Sequence, residues 1–150
     1  MNTTPSAGFG RRIAALVYDG LLLAAVLMIF TAGALMFTHG LAVLPENAGP
    51  WVYVYRAGLC AMVAGYFVIN WMHSGQTLGM RAWHLYAVDA NGRLLRAVPA
   101  LVRFICAVAA WTPAALGVLW LYLDPEQLAL HDRVAKTRLI HRVGIRPERR

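Results

Sequence analysis

One carboxylate lies inside an apolar stretch near the start of the chain. Asp19 follows a pair of arginines, Arg11 and Arg12, and belongs to the apolar segment 13–37. This segment has 25 residues, which as a helix can cross a hydrocarbon core of about 30 Å. Placing an ionised carboxylate in such a helix costs about 2.5–3.5 kcal/mol. Asp19 is therefore expected to have a partner, to carry a proton or to line a wet cavity.

Two polar residues in the other apolar segments could provide that partner. Asn70 lies near the end of the second segment, and Arg103 lies near the start of the third. The expected arrangement is a buried cluster in which Arg103 pairs with Asp19 and Asn70 supplies hydrogen bonds. Arg12 precedes Asp19 by seven residues, so the two share a helix face but are about 10 Å apart along the axis. Arg12 is therefore predicted to contact lipid headgroups at the membrane edge.

The composition indicates a small integral membrane protein with a single domain. Of the 150 residues, 59% are apolar and 14% are charged, whereas soluble domains have about 25% charged residues. The apolar segments are 13–37, 51–72 and 99–123. The predicted fold class is an all-α membrane protein with three apolar helical segments, within a membrane domain of residues 11–141.

The third apolar segment allows two interpretations. Pro113 in its middle is expected to kink or break the helix. Lysine and arginine number two before the first segment, none in the loop 38–50, four between Arg81 and Arg103, and seven after Leu123. Because basic residues favour the cytoplasmic side, this distribution favours a cytoplasmic N-terminus and a re-entrant third segment. Its 20 uncharged residues can also span the membrane, so a kinked span stays open.

The loop 73–98 is predicted to lie at the cytoplasmic surface, and so are the residues after the third segment if that segment is re-entrant. In the loop 73–98, Thr77 can cap a short interfacial helix. The Asn-Gly dipeptide at 91–92 predicts a β-hairpin whose strands are 83–88 and 93–95. After the third segment, the sequence predicts an interfacial helix at 125–135, a short strand at 137–141 and a basic tail at 142–150. Residues 1–10 are predicted to be flexible.

Four stretches in a fixed order carry a family resemblance. They are Arg12 with Asp19, then 74–81 (SGQTLGMR), 88–93 (VDANGR) and 130–140 (LHDRVAKTRLI). Together they resemble the RDD family of small bacterial membrane proteins, which is named for one arginine and two aspartates. By motif these three residues are Arg12, with Arg11 as the adjacent alternative, Asp19 and Asp132. The resemblance covers about residues 9–141.

The chain departs from the family pattern at two places. Met80 stands where the family commonly has lysine, which puts in doubt any role for a cation there, and Ala135-Lys136-Thr137 replaces the more usual Ala-Gly-Thr. The resemblance implies an integral membrane protein with a suspected role in the transport of ions or small solutes. No enzymatic activity is established for such proteins.

The remaining candidate residues have structural interpretations as well as functional ones. Asp132 is expected to anchor the neighbouring helix or strand by hydrogen bonds, because its surroundings are basic and wet. The predicted interfacial motif comprises Gln76, Thr77, Gly79, Arg81 and His131. The five histidines show no metal-ligand spacing, and the sequence has no phosphate-binding loop or nucleophile–base motif. The sequence therefore predicts no metal, no cofactor and no enzyme.

Two functions remain open. One is a transport protein of the bacterial cytoplasmic membrane, working as an oligomer, in which Asp19 exchanges a proton or a cation. The other is an accessory or scaffold membrane protein that regulates a partner, with Asp19 fixing the helix packing. A packing role for Asp19 is favoured, although ionisable groups within membranes are functional candidates by default. The expected partners are the bilayer with its anionic headgroups and a second membrane protein or further copies, not nucleic acid.

Overall fold

A computed structural model describes residues 8–39, 43, 46, 49–111, 135 and 137–141. This part of the chain is mostly helical and contains one small sheet. We label its elements α1 (Phe9–Phe37), α2 (Trp51–His73), α3 (Leu78–Ala82), β1 (Leu85–Asp89), α4 (Ala97–Trp111) and β2 (Thr137–His141).

The two longest helices, α1 and α2, are the first two predicted apolar segments. They contain 29 and 23 residues, and both are long and apolar enough to cross a membrane. Helix α1 begins at Phe9, four residues before the apolar run, because the arginines at 11 and 12 are good helix formers. Many large apolar side chains along these helices are exposed and few are fully buried, as expected of surfaces that face lipid.

The third apolar segment begins with helix α4. Pro99 lies in its first turn, where a missing backbone N–H is tolerated. The predicted kink or re-entry at Pro113 lies outside the described residues. So does the predicted helix at 125–135, apart from Ala135, which lies in a turn.

The predicted hairpin is corrected by the sheet topology. Strand β1 pairs in antiparallel register with β2, from Leu85 opposite His141 to Asp89 opposite Thr137. The tight turn forms as expected, since Gly92 N–H donates to the carbonyl of Asp89. The chain after it makes only one bridge to β1, because it enters α4 at Ala97 and leaves too few residues for a strand. The strand predicted at 137–141 is confirmed.

A hydrophobic core lies where the ends of the helices meet the sheet. Its buried members are Ala15, Trp71, Met80, Leu85, Ala87, Leu95, Ala100 and Leu139. Asp19 lies one helical turn beyond Ala15, and Arg103 lies nearly one turn beyond Ala100. The core therefore holds both charged residues at the same end of the molecule.

Candidate functional site

Asp19 is the centre of a buried hydrogen-bond network. Its side chain is 2% exposed. Oδ1 accepts from the Tyr66 hydroxyl at 2.7 Å and from the Gly79 N–H at 2.8 Å, and Oδ2 accepts from the Thr77 hydroxyl at 2.5 Å. We call Asp19, Tyr66, Thr77 and Gly79 the Asp19 clamp. Because the donors lie on α2, at the N-cap of α3 and within α3, one carboxylate joins three helices.

The same side chains satisfy the N-terminus of α3. The first N–H groups of a helix have no partner within the helix. In α3, the N–H of Leu78 donates to the Tyr66 hydroxyl at 3.2 Å, and the N–H of Gly79 donates to Asp19. The third N–H donates to the hydroxyl of Thr77 at 3.2 Å, which confirms Thr77 as the predicted cap. A helix of five residues is not stable by itself, because helix nucleation is unfavourable. These side chains therefore hold it in place.

Gly79 is the point of closest approach between α3 and α1. A Cβ atom built on Gly79 would lie 2.8 Å from Cγ of Asp19 and would collide with the carbonyl oxygen of Ala15. Every other residue type carries that atom. Glycine is therefore sterically required at this position of the predicted interfacial motif, because only a residue without a Cβ atom can bring its N–H to the carboxylate.

The clamp can hold Asp19 in either protonation state. An ionised carboxylate accepts hydrogen bonds only, and here it accepts all three. A proton on Oδ2 would face the hydroxyl of Thr77, which can turn from donor to acceptor. Oδ1 also faces a hydroxyl, that of Tyr66, but its other partner is the N–H of Gly79, which can only donate. Oδ2 has a hydroxyl as its one partner, so a proton there needs the rotation of that hydroxyl and leaves the N–H of Gly79 bonded to Oδ1.

Arg103 and Asn70 have partners other than those predicted. Arg103 is 3% exposed, and its Nη1 donates to the hydroxyl of Thr137 at 2.7 Å. Asn70 donates through Nδ2 to the backbone carbonyl of Tyr66 at 2.8 Å, within its own helix. The predicted cluster is corrected accordingly: Asp19 is held by the clamp, and Arg103 belongs to a separate centre.

The Arg103 centre joins α4 to α2 and to β2. The guanidinium carbon of Arg103 lies 5.1 Å from the centroid of the Trp71 ring, within the range of a cation–π contact. Thr137, its hydrogen-bond partner, is the first residue of β2 and is itself buried. Because β2 pairs with β1, Arg103 fixes the C-terminal strand against the helices.

The other predicted residues lie around these two centres. Gln76 is buried and donates through Nε2 to the carbonyl of Leu85 at 2.9 Å, which ties the α2–α3 connection to β1. Arg81 is exposed on α3, and Arg12 is half-buried in the first turn of α1. Asp132 and His131 lie outside the described residues.

Tyr66 was not predicted as a site residue. Its signal in the sequence is a phenol hydroxyl among the apolar residues of the second segment, where such a group needs a partner.

Within the described ranges, no group of three or more histidine, cysteine, aspartate or glutamate residues could hold a metal ion. The clamp presents one buried carboxylate that accepts its hydrogen bonds from neutral donors.

Comparisons with known proteins give one match. The family model described as RDD family matches residues 6–136, which include all four residues of the clamp and Arg103. Comparisons with curated proteins and with solved structures found no match.

Proposed function

Because the chain belongs to the RDD family, we propose that it is a membrane protein that carries a proton or a small cation across the bacterial cytoplasmic membrane. The single observation that supports this function is the environment of Asp19. The carboxylate is buried in an apolar helix of spanning length, and all three hydrogen bonds that it accepts come from neutral donors. A carboxylate that is solvated by the protein but not neutralised by a bonded cation can exchange a positive ion.

The exchange uses the asymmetry of the two carboxylate oxygens. In the ionised state, Tyr66, Thr77 and Gly79 replace the water that the carboxylate loses on burial. Uptake of a proton at Oδ2 removes the charge and needs only the rotation of the Thr77 hydroxyl. Movement of α3 away from α1 would open both oxygens to water and let the ion leave. The proposal includes no enzymatic step.

Two or three helices enclose too little space for a path across the bilayer. We therefore include assembly of several copies, or assembly with a partner membrane protein, in the proposed function. We place the α3 end in the cytoplasm, because exposed arginines are concentrated there and basic residues favour that side.

The test is ion flux in reconstituted vesicles. Vesicles that contain the protein and a pH-sensitive dye are given a sodium, potassium or proton gradient, and internal pH is followed. The unmodified protein should couple cation movement to pH, and Asp19→Asn should abolish the coupling. Asp89→Asn is the matched control, because Oδ1 of Asp89 accepts backbone N–H groups in the turn after β1 and an asparagine Oδ1 can do the same. Equal flux for Asp19→Asn and the unmodified protein would refute the role of Asp19.

The second candidate function is an accessory protein that regulates a partner. One observation favours it: the hydrogen bonds that Asp19 accepts hold the short helix α3 in place, which a packing role explains without transport. This function predicts no flux in vesicles of the unmodified protein and co-purification with one partner at fixed stoichiometry. Asp19→Asn would then weaken partner binding in proportion to its effect on folding.

A further inference from the structure

The described part of the α3 end carries several exposed arginines and few carboxylates. Among the described residues, the exposed arginines at this end are Arg11, Arg81, Arg93, Arg96 and Arg138. The described acidic residues at the same end are Asp19, which is buried in the clamp, and Asp89, whose Oδ1 accepts two backbone N–H groups. Among the residues that the structure describes at this end, exposed arginines therefore outnumber accessible carboxylates.

Helix α3 presents apolar and cationic side chains together. Its Gly79 and Met80 are buried against the rest of the molecule. Leu78 is 40% exposed, Trp83 at the end of the helix is 42% exposed, and Arg81 between them is exposed. Exposed tryptophan and arginine residues are both typical of the membrane–water interface, where the ring is partly in the apolar layer and the guanidinium reaches the headgroups.

The position of α3 along α1 places it near that interface. The 29 residues of α1 extend over about 43 Å, which exceeds a hydrocarbon core of about 30 Å. Because the charged pair at 11 and 12 lies at its start, the first turn of α1 is the part expected to project beyond the core. Since α3 packs on α1 at Ala15 and Asp19, it lies where the apolar layer gives way to headgroups.

We propose that the exposed residues Arg81, Trp83, Arg93 and Arg96 at the α3 end bind the phosphate groups of anionic phospholipids. Together we call them the α3 surface. A guanidinium gives two parallel hydrogen bonds to a phosphate, and the low dielectric beside the exposed Leu78 and Trp83 strengthens the attraction. The apolar side chains favour a lipid over a soluble polyanion, since a nucleic acid or an acidic protein would leave them in water. The proposal does not depend on transport.

The experiment measures stability in two lipids. The protein is reconstituted in nanodiscs of phosphatidylcholine alone or with phosphatidylglycerol, and the midpoint of thermal unfolding is recorded in each. Phosphatidylglycerol should raise the midpoint by about 2–4 °C for each arginine engaged. The triple variant Arg81→Gln, Arg93→Gln and Arg96→Gln should lose most of this difference. High salt should reduce it only partly, because the contacts are partly shielded from water.

Arg56→Gln is the matched control. Arg56 is an exposed arginine in the second turn of α2, at the end of that helix remote from α3, so the variant removes one cation but leaves the α3 surface intact. It should keep the full difference between the lipids. The comparison is made between lipids within each variant, so a general loss of stability cancels.

Three outcomes would overturn the proposal. They are equal midpoints in both lipids for the unmodified protein, an undiminished difference in the triple variant, and an equal loss in Arg56→Gln. Inorganic phosphate that reproduces the shift in phosphatidylcholine nanodiscs would also count against lipid as the ligand. If the triple variant does not fold, Arg81→Gln is used alone, and native mass spectrometry should show fewer bound phosphatidylglycerol molecules than for Arg56→Gln.

Discussion

The backbone N–H of Gly79 donates to Oδ1 of Asp19 across 2.8 Å, at a point where a side chain on residue 79 would collide with α1. This contact joins the N-terminus of a five-residue helix to a carboxylate inside a long apolar helix. The positive end of the helix dipole favours an ionised group there, although a short helix limits the effect. The contact therefore depends on two residue types at once, an acid at 19 and a glycine at 79.

Gly79→Ala should destabilise the protein. The added Cβ would lie 2.8 Å from Cγ of Asp19, so α3 must move away and the hydrogen bond must lengthen or break. Forcing an extra carbon into such a contact costs about 1–3 kcal/mol, measured as the free energy of unfolding in denaturant. Gly20→Ala is the control: it is the next residue to Asp19 in α1, and its added Cβ meets nothing within 4 Å. That variant should be neutral or slightly more stable, since alanine is the better helix former. Equal losses in both would show that α3 is not packed on α1.

Substitutions of Asp19 should rank by the acceptors that they keep. Asparagine retains one oxygen for Gly79 and offers an amide to the oxygen of Thr77, whereas alanine leaves the donors of the clamp buried and unmatched. We expect Asp19→Asn to cost about 1–2 kcal/mol and Asp19→Ala to cost more, about 3 kcal/mol. Urea or thermal unfolding in one detergent gives the ranking. Asparagine as damaging as alanine would mean that the negative charge itself, and not the hydrogen bonds, stabilises the fold.

The hydroxyls of Tyr66 and Thr77 should be energetically coupled. Both donate to Asp19 and both accept an N–H of α3, so loss of one leaves the other with a displaced partner. Tyr66→Phe and Thr77→Val should each cost about 1–2 kcal/mol, and the double variant should differ from the sum by at least 0.5 kcal/mol, approximately the lower limit seen for residues in one network. Thr77→Ser keeps the hydroxyl and should retain most of the stability. Strict additivity would separate the clamp into independent hydrogen bonds.

The sequence predicted the helices better than it predicted their contacts. Length and hydropathy suffice to locate α1 and α2, and the Thr77 cap follows from local chemistry that any short helix needs. The hydrogen-bond partners of a side chain depend on which faces of the helices meet. The packing of the hydrophobic core decides this, not the type of the polar residue. Arg103 and Asp19 have opposite charges and lie at similar depths in their apolar segments, so the sequence predicted that they form an ion pair. In the fold, α4 places Arg103 against Trp71 on α2 and Thr137 on β2, and α3 takes the contacts of Asp19.

In the sheet, too, the sequence predicted local structure better than long-range contacts. A local turn at Asp89–Gly92 was predictable because Asn-Gly has a strong backbone preference, and the turn forms. The strand that pairs with β1 is 137–141, about fifty residues later in the chain. No pattern in the sequence around β1 predicts this pairing. Pairing at that distance is decided by burial: the inward-facing residues Ala87 and Leu139 are opposite each other and complete the core.

Breaking the Arg103 centre should release β2 before it affects the long helices. Arg103 donates to Thr137 at 2.7 Å, and both side chains are buried, so Thr137→Val removes the acceptor of a charged donor. We expect a cost of about 1.5–3 kcal/mol and faster hydrogen exchange at 137–141 than at 51–73. Arg103→Lys should also destabilise β2, although it keeps the positive charge. A compact ammonium cannot both stack on Trp71 and reach the hydroxyl of Thr137 in the geometry of the guanidinium. Arg138→Gln is the control, because Arg138 follows Thr137 in the same strand but is exposed, and it should leave the exchange unchanged. Uniformly faster exchange in α2 and β2 of Thr137→Val would mean that β2 and the helices unfold as one unit, which would exclude a local role for Arg103.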